Sequence, residues 1–73
     1  SRFFHAAVGM HFRRYLNQYR VQYACQLLEE NAYSVTQIAL ECGFQNIRSF
    51  NRAFLEIMGY PPTRHARQAA PER

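Results

Sequence analysis

Arg48 and Arg52 stand four residues apart in a stretch whose apolar residues Ile47, Phe50, Phe54, Ile57 and Met58 recur at helical spacing. With 3.6 residues per turn, that spacing turns both guanidinium groups away from the apolar stripe. A guanidinium is permanently charged and presents a planar fork of donors. It matches O6 and N7 of guanine, and it matches phosphate oxygens equally well. Ser49 lies beside the pair and is a candidate for a base-edge contact. Asn46, at the leading end, suits a helix cap or a phosphate contact, and Ile47 is assigned to the core. The chemistry on offer is recognition of a nucleic-acid groove. The competing assignment is a pair of solvated surface arginines, one of them bridging to Glu56.

Two helices and a turn must hold these side chains. Ser34 precedes Gln37 by three residues, the spacing of a capping box that starts a helix. Val35, Ile38, Ala39 and Cys42 give that helix an inner face, and Gly43 supplies the permissive backbone of a turn. Phe44 is expected to plug the turn into the core, with Gln45 or Asn46 capping the next helix. Gly59 closes that helix. Pro61-Pro62-Thr63 opens a last short helix through about Ala69, and residues 70–73 are expected to fray.

Upstream, residues 1–8 carry Phe3, Phe4, Ala7 and Val8 at helical spacing, with Gly9 as the expected stop. A long helix is then expected from Phe12 to Glu30, about 28 Å at 1.5 Å per residue. Phe12, Leu16, Tyr19, Tyr23 and Leu27 form one apolar stripe on it, and Val21, Ala24, Cys25 and Leu28 widen the apolar surface in its second half. A helix apolar on more than one side should be packed on more than one side, as a spacer between two units.

Size and composition agree. The chain has 73 residues, enough for a single domain near the lower limit for one core. Its hydrophobic share of 48% excludes a disordered tail, and its net charge of +4 comes with nine basic residues that are all Arg. The balance leans towards nucleic acid, against solvated helix faces. The chain starts at Ser1 without an initiator Met and enters helical pattern at once, so it is expected to be a piece of a longer protein. No apolar run reaches the roughly 20 residues of a membrane span, and no signal peptide is visible. Cys25 and Cys42 sit in apolar helical pattern, which favours buried, reduced thiols of a cytoplasmic protein over a disulfide.

Taken together, these segments resemble the DNA-binding domain of AraC/XylS-family transcriptional regulators over nearly the whole chain. GFQNIRSFNRAF followed by GYPPT is similar to that family's second recognition helix and exit, and SVTQIALECGF to the helix before it. RVQYACQLL resembles the linker-helix signature, and SRFFHAAVGMHFRRYL the end of a first recognition helix entering the linker. The resemblance implies an all-α fold with a homeodomain-like helix-turn-helix, a long linker helix and the remnant of a first helix-turn-helix. Residues 1–9 would end the first recognition helix, 10–33 would be the linker and its connection, and 34–69 the second unit with its closing helix. It also implies double-stranded DNA as partner, read in two successive major grooves about 34 Å apart, and RNA polymerase as a partner through the parent protein. An activator is the common role in such a family.

By the same resemblance Ser1 and Arg2 join Arg48, Ser49, Arg52 and Asn46 as candidate DNA contacts. Arg13, Arg14 and Arg20 are linker positions for phosphate contact or solvent exposure, Arg20 alternatively for an internal ion pair. His5-Ala6 and Leu55-Glu56 stand where the family often has basic residues, and His65 where it usually has Tyr, as a surface change. Phe3, Phe4 and Val8 would cover the missing helices of the first unit, so self-association is expected of the fragment.

No enzyme and no cofactor are expected. The spacing of His5, His11, Cys25 and Cys42 fits no common zinc finger or knuckle. There is no nucleophile–base pairing, glycine-rich phosphate loop or carboxylate dyad. Similar domains occur beside a DNA-repair methyl-transfer module, but Cys25 or Cys42 would need an exposed thiolate for that role. The alternative function is a helical protein-interaction module, for example one contacting polymerase, without DNA specificity of its own.

Overall fold

Four helices make up the computed structural model, which describes the backbone of residues 2–69 and, residue 9 being a glycine, the side chains of 11–69. They are α1 (Arg2–Glu30), α2 (Val35–Glu41), α3 (Ile47–Met58) and α4 (Pro62–Ala69), with no strand among the described residues. The expected stop at Gly9 is absent, because α1 runs unbroken for 29 residues. Nothing after Gly9 ends a helix. Residues 10–14 are Met-His-Phe-Arg-Arg, with neither Pro nor a capping side chain, so the glycine costs only about 1 kcal/mol of propensity inside a long helix.

Each later boundary has a local cause. Asn31 takes the left-handed conformation (φ 56°) that ends α1, and its N–H donates to the Leu28 carbonyl at 3.2 Å. At the start of α2, Ser34 Oγ accepts from the Gln37 N–H at 3.1 Å while Gln37 Oε1 accepts from the Ser34 N–H at 3.0 Å. The capping box is closed from both sides. Gly43 (φ 96°) turns the chain, and Asn46 Oδ1 accepts from the Ser49 N–H at 2.8 Å to start α3. Gly59 (φ 82°) ends α3 with its N–H on the Leu55 carbonyl at 2.9 Å. Pro62 occupies the first position of α4, where the missing N–H is no loss.

Helices α2, α3 and α4 pack together on the second half of α1. Val21, Ala24, Leu27 and Leu28 from α1 meet Ile38, Ala39, Cys42 and Phe44, and then Phe50, Ala53 and Phe54. Phe50 and Phe54 are fully enclosed, and edge-to-face contacts carry from Phe44 to Phe50 (5.5 Å between centroids) and from Phe54 to Tyr60 (6.1 Å). The first half of α1 projects beyond this cluster. A compact chain of this length would have a radius of gyration of roughly 11 Å, whereas this one has 14.0 Å and extents of 57 × 20 × 16 Å.

The stripe read as one face of α1 is divided by the packing. Leu27 is buried, but Phe12, Tyr19 and Tyr23 are exposed, joined by Tyr15. The enclosed face is the one through Val21, Ala24 and Leu28, on the other side of the helix. Both faces are apolar, and α2–α4 cover the second together with Leu27 of the first.

His65 is also placed differently from the expectation of a surface change. Its side chain is largely enclosed, stacked at 6° on Tyr60. Nδ1 lies 2.9 Å from the Tyr60 hydroxyl, and Nε2 lies 2.9 Å from Glu29 Oε2. An imidazole with two polar partners ties α4 to the end of α1.

Candidate nucleic-acid interface

Helix α3 is fixed by burial of Phe50, Ala53, Phe54 and, in part, Ile57, and whatever lies opposite that stripe must face outwards. Arg48 and Arg52 occupy the middle of this opposite face, and both are exposed. The bridge from one of them to Glu56 is not formed. Among the described residues the ion pair present is His65–Glu29 at 2.9 Å. Both guanidinium groups are therefore available to a ligand, and the front of α3 carries no acidic residue in its first turn to repel a phosphate.

The remaining expected contacts divide. Ser49 is exposed beside Arg52, its backbone N–H taken by the cap. Asn46 is a cap: Oδ1 is occupied, which leaves only its amide nitrogen for a phosphate. Ile47, expected in the core, is 40% exposed at the leading edge of α3, since the stripe closes over Phe50 and Phe54 one turn further in. Ser1 and the side chain of Arg2 lie outside the described residues, as do the side chains of Phe3, Phe4, His5 and Val8. Asn51 and Leu55 share the outer face with Arg48; Leu55 stands where the family often has a basic residue, and no role for Asn51 follows from the sequence reading. Their spacing from Arg48, three and seven residues, was the available signal.

Arg20 makes no internal ion pair among the described residues. Its guanidinium instead covers the ring of Phe44, 5.6 Å from the centroid, in the turn that launches α3. Arg13 and Arg14 are exposed on the projecting half of α1, and Arg64 lies over Tyr60 at 5.3 Å.

Neither cysteine is poised as a nucleophile. Burial, with Glu41 and then Cys25 adding to it, pushes the Cys42 thiol up to about 11, and burial followed by the charge of Glu29 also raises Cys25. Both shifts disfavour the thiolate that a nucleophile requires. Cys42 is buried and Cys25 half-buried, both as free thiols. Among the described residues no three His, Cys, Asp or Glu side chains are grouped to hold a metal ion, and no helix is long and apolar enough to cross a membrane.

A family of helix-turn-helix domains matches residues 1–68. The HTH-type transcriptional activators RhaR of Salmonella heidelberg and Salmonella typhi are each 33% identical to the chain over 60 residues, and that of Salmonella arizonae is 32% identical over 60. In each case the alignment covers 82% of this chain and 21% of the relative, so the chain spans about a fifth of the length of the curated relatives it matches. No solved structure matches the chain.

Proposed function

The chain belongs to the AraC/XylS-type helix-turn-helix family of DNA-binding domains, and from that premise we propose that α3 reads sequence in the major groove of double-stranded DNA. The observation that carries this is the exposure of Arg48 and Arg52 on the face opposite Phe50 and Phe54, with no acidic partner among the described residues. Arg48, nearer the leading end, takes a guanine edge, and Arg52 a guanine or a phosphate. Ser49 adds a base-edge contact and Asn46 a phosphate contact through its amide nitrogen. The domain does no chemistry of its own and works in the cytoplasm.

Residues 10–33 serve as linker and connection, and residues 1–9 as the end of a first recognition helix, with Ser1 and Arg2 among the candidate DNA contacts. The backbone passes between these two roles without a break, so any first unit is rigidly coupled to the second. The exposed aromatic face of α1 through Phe12, Tyr15, Tyr19 and Tyr23 is where such a unit packs. In this chain alone the same face pairs with a second copy. Activation, and contact with RNA polymerase through a longer protein, follow by analogy with relatives named as transcriptional activators.

Selecting duplexes from a random pool with the full chain, followed by salt titration, tests the assignment. It predicts one preferred duplex, weaker binding when the site is scrambled, and a steep fall in affinity with salt. A module that binds an acidic protein partner would select no duplex.

A further inference from the structure

Arg20 reaches from α1 to the turn between α2 and α3, half-buried, with its guanidinium over Phe44. Gly43 makes room for it. A Cβ at that position would lie 3.1 Å from Arg20 Nε and 3.5 Å from Cζ and Nη2. The Phe44 ring and the bare glycine backbone both lie against the group. A guanidinium held over a ring keeps several N–H donors that the ring itself does not satisfy.

Arg20 lines an open cleft of about 710 Å³ between α1 and α3. Arg13 and Arg20 line it from α1, Ser49 and Arg52 from α3, and Glu56 is the sole acidic residue in its described lining. Three like charges around one cleft, with no carboxylate paired to Arg20 among the described residues, form an arrangement that an anion relieves. Ser49 and Arg52 belong both to the outer face of α3 and to this cleft, so it opens along the flank of the proposed reading surface. A helix about 10–12 Å across fills a major groove of about 12 Å, which brings the sugar-phosphate backbone against that flank.

We infer that Arg20 holds a phosphate of the DNA backbone in this cleft, as a pre-set partner to the base-reading face of α3. The inference rests on the major-groove assignment and assigns the linker helix a direct role at the DNA. The phosphate contact carries no sequence information and fixes the insertion depth and register of α3.

The test is binding of the full chain, Arg20→Gln and Arg20→Lys to the duplex selected above and to a scrambled duplex, across a range of salt. Arg20→Gln is expected to weaken both duplexes alike, on the order of tenfold, and to reduce the salt slope by about one without altering base preference. Arg20→Lys keeps the charge and is expected to keep the slope. An unchanged slope in a folded Arg20→Gln, checked by its helical melting curve, would make Arg20 only a brace and overturn the inference. Arg20→Met preserves the stem over Phe44 as a second neutral variant, and failure of both neutral variants to fold would overturn it equally. A chain that prefers no duplex at all overturns the major-groove assignment with it, a result distinct from an Arg20 variant that matches the unmodified chain.

Discussion

Arg48, Arg52 and Cys42 show how the environment decides what a side chain does. The two arginines are exposed, and unpaired among the described residues, because the aromatic stripe on the far side of α3 turns them outwards. Cys42 is inert for the opposite reason, enclosed beside Ile38 and Ala39. Its folded thiol, at about 11, sits above the roughly 8.5 of an unfolded one. The folded state therefore favours the neutral form. That stability is fully present below about pH 8.5 and is lost as pH rises towards 11, where the unfolded chain ionises first. Alkylation with iodoacetamide at pH 8 should leave Cys42 unmodified in the native chain and label it in denaturant. Rapid native labelling of Cys42 at that pH would show that the core around it opens readily.

Helices α2, α3 and α4 were legible because their ends are written in local chemistry: Ser34 with Gln37, Gly43, Asn46, Gly59, Pro62. The start of α1 was not, because Gly9 resembles a stop only if something beyond it prevents the helix from continuing. Periodicity likewise found two apolar faces on α1 but cannot say which one has a neighbour. The placement of His65 is invisible to local pattern because its partner, Glu29, is 36 residues away. The cap at α3 yields a separate expectation. Asn46→Ala should lower stability by about 0.5–2 kcal/mol through loss of the bond to the Ser49 N–H, while Asn46→Asp should largely preserve it. Equal chemical-denaturation midpoints for the alanine variant and the unmodified chain would mean the cap contributes nothing. Replacing Phe50 or Phe54 by Ala should be far more damaging, about 3–5 kcal/mol, which is a large part of what so small a domain has.

At the scale of the whole molecule, α3 packs at one end of the extended α1, whose opposite face is aromatic and exposed. That half of the account was not legible from residue types alone, since Phe12, Tyr15, Tyr19 and Tyr23 read equally as core. Their exposure predicts concentration-dependent association of the isolated chain, visible by sedimentation between micromolar and millimolar concentrations and reduced by Tyr15→Glu with Tyr19→Glu. A single monomeric species throughout would contradict it. The central claim, however, is that α3 reads bases, and the most direct measurement is binding of Arg48→Ala to the selected duplex and to every single-base variant of it. If Arg48 is bidentate to a guanine, the variant should lose about 1–3 kcal/mol and become indifferent at one base position while keeping its preferences elsewhere. Unchanged affinity and unchanged preference at every position would contradict the assignment of α3 as the reading helix.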